Sequence, residues 1–470
     1  MWPELTVRGA GLRLEGPLLS LQRKVEVGLN EAVEIIGNDG RTRRGRIVAL
    51  DEARLLVEVL EPTADLALEG LCARFHGEPL TYGVGPDLLG RVFDGVGRPI
   101  DGGPPVTIVE ERPIDGLPIN PTARELPQDF IETGVSAIDL LNSLVRGQKL
   151  PLFSGGGLPH GELAIDIARH ARLLSEEGGA FATVFVGIGV SNAAAEQFRR
   201  AMEESGALER TAMFLNLASD SSAQRILTPR YALTAAEYLA FTEGRHVLVV
   251  MTDMTNYCEA LREVSASHSE VPSRKGYPGY MYSDLAALFE RAGRIRGRPG
   301  TLTQLPILTM PGDDITHPIP DLTGYITEGQ IVLDRELDRR GLYPPIAVLP
   351  SLSRLMDQGT GKGYTHPDHP ALANQLYAAY ARAHQVRILA SVVGEEGLPE
   401  TDRQYLAFGL DFEKQVLHQA APRSLEESLA VGWRVLRGLP RAELSRLSDA
   451  QVARYLGTVD EAPRTAAEGV

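Results

Sequence analysis

The sequence predicts an α/β protein with an N-terminal β-barrel, a central parallel-sheet domain of nucleotide-binding type and a C-terminal helical bundle. Three patterns carry this. Short runs of β character fill the first 75 residues, apolar strand runs alternate with helical repeats between 150 and 264, and apolar residues recur at helical spacing after 353. At 470 residues the chain is too long for one core, and roughly one domain per 150 residues points to about three. The expected boundaries are 1–75 for the barrel, 76–352 for the α/β domain and 353–470 for the bundle, with a frayed tail over 457–470.

The barrel strands are expected at 11–14, 25–27, 32–36, 46–50 and 55–59. Asn38-Asp39-Gly40 separates two of them and reads as a hairpin, because Asp-Gly tolerates the positive φ of a tight turn. Closure would remove the edges that several short exposed strands otherwise present. A glycine- and proline-rich stretch begins at 90–102 and continues through Pro113 and Pro118 to Pro127; it reads either as an ordered interdomain linker or as a plain surface loop.

In the α/β domain, strands are expected at 150–153, 181–186, 212–217 and 246–251, and helices at 162–174, 193–204, 223–241 and 257–264. Strands that are apolar throughout and separated by helices imply a parallel sheet covered on both faces. Ligands in such sheets bind at the carboxyl ends of the strands, where Ser154 and Asp253 fall. The bundle helices are expected at 371–393, 402–419, 425–437 and 442–456, two of them opened by the capping boxes Thr401-x-x-Gln404 and Ser424-x-x-Glu427.

The net charge of −15 disfavours non-specific binding to nucleic acid or to an anionic membrane, both of which need clustered Lys and Arg. Cys72 and Cys258 lie far apart with no metal-ligand spacing, so neither a zinc site nor a disulfide framework is signalled and a reducing cytoplasmic compartment fits. No metal site is expected. The N-terminus lacks the pattern of a secretory signal, and the uncharged stretch 178–195 contains glycines, Ser191 and Asn192, which suit a strand and loop better than a membrane span. Any work at a membrane is therefore expected through partners.

The chemistry centres on the glycine-rich turn at 152–163, which follows an apolar strand and precedes a helix. A working phosphate loop reads G-x-x-x-x-G-K-[S/T], with backbone N–H groups on phosphate, lysine on the terminal phosphates and a hydroxyl on magnesium. Here Ser154 stands at the first glycine, Pro159 at the second, His160 at the lysine and Gly161 at the hydroxyl. Proline removes a donor, histidine is shorter than lysine and largely uncharged near neutral pH, and glycine offers magnesium nothing. Gly155, Gly156 and Gly157 still offer N–H groups to an anion. Asp253 ends a buried strand, where an acid reaches magnesium in loop-type nucleotidases; with the hydroxyl partner missing, capping of the next helix is the stronger alternative.

The order of parts, together with long strings, resembles the head subunits of rotary ATPases, and most nearly the B-subunit family, the non-catalytic β chains of A/V-type ATP synthases. The strings include 132–139 (Glu-Thr-Gly-Val-Ser-Ala-Ile-Asp), 146–151 (Arg-Gly-Gln-Lys-Leu-Pro), 252–263, 276–282, 320–331 and 350–355 (Pro-Ser-Leu-Ser-Arg-Leu). The resemblance covers nearly the whole chain. It implies a RecA-like central domain and a ring in which B subunits alternate with catalytic A subunits around a central rotor stalk, braced by peripheral stalk subunits. It places the complex on the cytoplasmic side of the cell membrane, with ATP or ADP and magnesium held mainly by the A subunit.

The resemblance further implies that Arg354 is an arginine finger completing the A subunit's site. Catalytic relatives carry Gly-x-Gly-Glu-Arg at the end of the second strand; here Gly187-Ile188-Gly189 is followed by Val190 and Ser191, so the water-orienting carboxylate is missing as well. One departure is Ala347, where the family usually has Asp, Asn or His. Tyr277-Pro278-Gly279-Tyr280 resembles the family loop near the rotor axis, or else packs on its own domain; Tyr325 and Glu328 border the interface in this reading with no assigned role. Two other readings compete. One is an independently catalytic rotary or secretion-type ATPase; the other is a ring translocase on nucleic acid, which would need a basic, aromatic-rich N-terminal face that 2–75 lacks.

Overall fold

The computed structural model describes residues 5–7, 13–24, 26–63, 65–116, 119–174, 180–268 and 270–457, and forms two compact units. The first takes residues 1–124, 180–308 and 321–323; the second takes 125–179, 309–320 and 324–470. The tail expected to fray lies, from 458 on, outside the described residues.

The first unit opens with seven antiparallel strands, in the order Leu5–Val7, Cys72–Pro79, Glu31–Ile36, Thr42–Leu50, Arg54–Val59, Leu18–Gln22, Arg13–Glu15. Alternate residues such as Val33, Ile35, Ile47, Leu55 and Val57 are buried in one apolar core, as a period of two requires of a sheet with one dry face. Asn38 and Asp39 do turn the chain between two of these strands, with Gly40 at φ 69° and its N–H donating to Gly37 O. The expected closure is not seen: among the described residues no ladder joins the two end strands. Leu18–Gln22 was missed because a Gly-Pro turn at Gly16-Pro17 precedes it, and residues 26–27, expected in a strand, carry none; Val25 lies outside the described residues.

The same unit holds five parallel strands, ordered Thr301–Met310, His246–Thr252, Phe181–Val190, Thr211–Leu217, Val92–Asp94. Every residue of His246–Thr252 is buried, which is why its sequence reads apolar throughout rather than alternating. The helices Asn192–Glu204, Ser222–Phe241 and Met254–Ser267 fall within a few residues of expectation. The glycine- and proline-rich stretch does more than link: Val92–Asp94 joins the parallel sheet as an edge strand. Further along, Arg291 is wholly buried and ties Ile114 O, Thr234 and both oxygens of Glu237 together, so the stretch is pinned at two places.

The second unit contains the parallel pair Leu152–Gly155 and Gly329–Leu333, the latter antiparallel to Ile346–Ser353. Its helices are Ser136–Leu141, His160–His170, His369–Val393, Glu400–Phe412, Leu425–Leu436 and Asp449–Tyr455, besides shorter ones. Stacked rings of Tyr380 on Phe412 and Trp433 on Tyr455 pack the bundle. The Ser424–Glu427 capping box is present, whereas the helix expected to start at Thr401 starts at Glu400 with Pro399 as its cap; an unforeseen box joins Ser448 and Gln451. The helix expected to reach 419 ends at Phe412 and widens into a π turn, Glu413–Leu417, where Glu413 is buried against Tyr380, Arg387 and Arg340. No helix among the described residues is long and apolar enough to cross a membrane.

Within this unit Asp139 is completely buried and accepts from Thr133 N at 2.8 Å, Thr133 Oγ1 at 2.7 Å and Gly134 N at 2.9 Å. Burial outweighs those donors and pushes its carboxyl up to about 7. The neutral form is thus favoured by folding, so its stabilising contribution is full below the unfolded carboxyl's range, about 4, and is lost as pH rises through about 7. Relative to Asp139→Asn, whose amide does not titrate, the wild-type protein should therefore lose on the order of a few degrees in Tm between pH ~5.5 and ~8. Thermal melts of both proteins across that range check the slope, and parallel melting curves would rule it out.

Candidate functional site

The strand Leu152–Gly155 delivers the glycine loop at its carboxyl end, and His160–His170 leaves it as a helix. Ser154 is fully buried, with Oγ 3.2 Å from His160 Nδ1 and 3.1 Å from Gly155 O. The side chain at the lysine position is thus turned back onto the loop's own serine. Two N–H groups of the turn are also spent internally, Leu158 N on Gly155 O at 3.2 Å and His160 N on Leu158 O at 2.8 Å. Gly156 and Gly157 are exposed, and Gly157 takes φ +81°, a left-handed conformation that a β-carbon would strain. From the other side Arg335 donates to Gly156 O at 2.8 Å and holds Asp313 through two bonds of 2.8 and 2.9 Å. That pair packs so tightly on Gly155 that an added β-carbon would lie 2.3 Å from Asp313 Oδ1. Neither Arg335 nor Asp313 was singled out in the sequence, where they stand 22 residues apart on either side of the string 320–331.

Asp253 belongs to the first unit. It is the N-cap of Met254–Ser267, its Oδ1 accepting from Thr255 N at 2.8 Å, which is the capping role the sequence offered. Nearby, Ser191 caps Asn192–Glu204 by accepting from Ala194 N at 3.2 Å, and Asn256 Nδ2 donates to Ile188 O at 2.9 Å. Where catalytic relatives are expected to place Glu-Arg, this chain therefore has a strand-end valine and a helix cap. Among the described residues no group of three or more His, Cys, Asp or Glu side chains gathers as a metal centre would require. Tyr277 is buried against its own unit, bonded to Glu259 and lying under Arg262 at 5.4 Å; Tyr280 stays partly exposed.

Arg354 follows the strand Ile346–Ser353 in the second unit and is exposed. Its backbone N–H donates to Glu328 O at 3.0 Å and its Nη1 to Thr327 O at 3.3 Å, while no carboxylate pairs with it among the described residues. It borders a groove of about 570 Å³ shared with Leu352, Asp357, Asn374 and Tyr377. Glu328, left without a role by the sequence, forms an ion pair with Lys149 at 2.8 Å and accepts from Lys149 N at 2.7 Å. Tyr325 is 74% exposed on the helix Pro318–Ile326.

The family model described as "ATP synthase alpha/beta family, nucleotide-binding domain" matches residues 134–353, and that of the "C-terminal domain of V and A type ATP synthase" matches 358–456. A protein of Halothermothrix orenii (strain H 168) described as "V-type ATP synthase beta chain" is 54% identical over 451 residues, covering 95% of this chain and 97% of that one. The chain belongs to the ATP synthase alpha/beta family. Among solved structures, that of NeqB, described as a unique ATP synthase subunit from Nanoarcheaum equitans, is similar with a TM-score of 0.72 and 37% identity, over 90% of this chain and 100% of that one.

As a member of the ATP synthase alpha/beta family, the chain keeps a strand, glycine turn and helix in the order a phosphate loop requires. His160 faces Ser154, Asp253 caps a helix, and Gly161 has no side chain. Asp253→Ala should therefore cost about 1 kcal/mol in nucleotide-free protein, while Asp253→Asn keeps most of that stability because asparagine also caps. Urea unfolding without nucleotide measures both; an aspartate serving magnesium alone would leave the two variants equal to wild type.

Proposed function

We propose that the chain is the non-catalytic B-type subunit in the head of an A/V-type rotary ATP synthase or ATPase, alternating with catalytic A subunits in a ring and lending Arg354 to their ATP sites. The near full-length similarity to a V-type ATP synthase beta chain supports the assignment to the complex. The observation that carries the role is Arg354 itself: an exposed guanidinium at a strand end, anchored through backbone carbonyls and committed to no carboxylate among the described residues. An arginine left so can meet an anion that another chain supplies.

The chemistry suits arginine. Its charge does not titrate in water, its planar fork spans two phosphate oxygens, and such a finger contributes roughly 10³ to 10⁵ in rate to phosphoryl transfer. In this reading ATP or ADP with magnesium is held mainly by the A subunit, and the Gly155–Gly157 turn contributes at most N–H groups to an anion. The positions of His160, Gly161 and Val190 support it, since a charge, a magnesium hydroxyl and a water-orienting carboxylate are all missing from this chain. Central rotor and peripheral stalk subunits are the other partners, and the subunit sits peripherally on the cytoplasmic side of the membrane. Proton or sodium translocation belongs to membrane subunits of the complex, which are other chains.

Mixing the chain with a catalytic A subunit should give an alternating hexamer that hydrolyses Mg-ATP, whereas the purified chain alone should show no turnover. In that hexamer Arg354→Ala and Arg354→Lys should assemble and lose about 10³-fold or more in kcat. Native mass spectrometry reads assembly and a phosphate-release assay reads turnover. Turnover by the chain alone would favour an independent ATPase, and undiminished turnover by the arginine variants would remove the finger.

A further inference from the structure

We propose that Lys149 is a positioning residue for Arg354: by engaging the Glu328 carboxylate it leaves the Arg354 guanidinium available to a neighbouring subunit's phosphate. This rests on the reading of Arg354 as a donated arginine. The two segments that frame Arg354 are both fastened to the stretch Gln148-Lys149. On one side, Gln148 Nε2 donates to Ser353 Oγ at 3.0 Å, and Ser353 Oγ donates in turn to Ser143 O at 2.8 Å. On the other, Gln148 Nε2 donates to Glu328 O at 3.2 Å, the carbonyl that also accepts from Arg354 N at 3.0 Å.

Lys149 then takes up the rest of Glu328. Its carbonyl accepts from Glu328 N at 3.0 Å, its N–H donates to Glu328 Oε2 at 2.7 Å, and its ammonium lies 2.8 Å from Glu328 Oε1. Both carboxylate oxygens are thereby occupied. The lysine side chain is 7% exposed and the glutamate 27%, so this pair is poorly screened compared with a surface ion pair.

The charge logic follows from the adjacency. Arg354 Nη1 already bonds to Thr327 O, the carbonyl immediately before Glu328. With the ammonium removed, Glu328 is an uncompensated anion beside an exposed cation, and an internal Arg354–Glu328 pair competes with the phosphate for the guanidinium. An internal pair favoured over the free arginine by about one order of magnitude leaves roughly a tenth of the arginine available. A staple that merely joined the segments would not depend on the sign of the charge. The bonds from Gln148 and from the backbone already provide such a staple.

The test is the reconstituted hexamer with Mg-ATP, carrying Lys149→Met, Lys149→Met with Glu328→Gln, or Arg354→Ala in this chain, with assembly read by native mass. Lys149→Met should lower kcat about tenfold or more with KM for ATP changed less than about threefold, and adding Glu328→Gln should restore kcat to within about threefold of wild type. A single variant that assembles with wild-type kcat, or a double variant no better than the single, would overturn the proposal. Should the single variant fail to assemble, the double variant decides, because it leaves no buried charge unpaired. A ring that forms with it and turns over supports the proposal, and one that forms without turning over overturns it. Loss of activity in Arg354→Ala with normal Lys149→Met rejects only the positioning role, whereas normal activity in Arg354→Ala rejects the donated arginine itself.

Discussion

A parallel strand buried on both faces has little room for a charged side chain except at its ends, and that constraint decides where the charged residues of the parallel strands lie. His246–Thr252 is buried at every position, and Phe181–Val190 at seven consecutive ones. Each such strand removes apolar surface from water at about 25 cal/mol per Å², so a charge within it would forfeit far more than it could return. Polar groups collect at or just past the carboxyl ends instead: Ser154 and the glycine turn at the end of one strand, Ser191 after another, Asp253 after a third. Arg354 also follows a strand, Ile346–Ser353, but that strand is antiparallel and only partly buried.

What these strand ends do in this chain differs from what the order of elements would allow. A glycine turn between strand and helix is ready to receive an anion, because its N–H groups and the helix dipole point the same way. Here the turn satisfies several of its own groups, Ser154 and His160 face one another, and Arg335 with Asp313 braces the opposite side. Asp253 and Ser191 each satisfy the first turn of a helix. Polar side chains that cap helices contribute to folding in the absence of any ligand. Arg354 differs from these capping groups, since its guanidinium is tied to one carbonyl and to no anion among the described residues.

Much of this was legible in the residues. The doubly wound pattern showed because strands covered on both faces are apolar throughout, and the helices between them were placed within a few residues. The missing lysine, hydroxyl and carboxylate at His160, Gly161 and Val190 could be read directly, since a side chain's chemistry does not depend on the fold. Capping by Asp253 could be argued from its place after a strand and before a helical repeat. The strand Leu18–Gln22, the ladder formed by Val92–Asp94 and the π turn at Glu413–Leu417 were harder, because each depends on partners distant in sequence. Leu18–Gln22 pairs with Arg54–Val59, and Glu413 meets Arg340 and Arg387, separations that no local period records.

The sequence by itself determined the class of fold, the family and the chemical groups this chain lacks, because periodicity, long strings and side-chain identity are all local properties. Only the tertiary structure decided which carboxylates are committed to which cations. Lys149 and Glu328 are 179 residues apart, Arg335 and Asp313 22 apart, and nothing in their immediate surroundings says that they pair. Electrostatic partnership depends on distance in space, and the chain sets that distance only after its strands have been placed side by side.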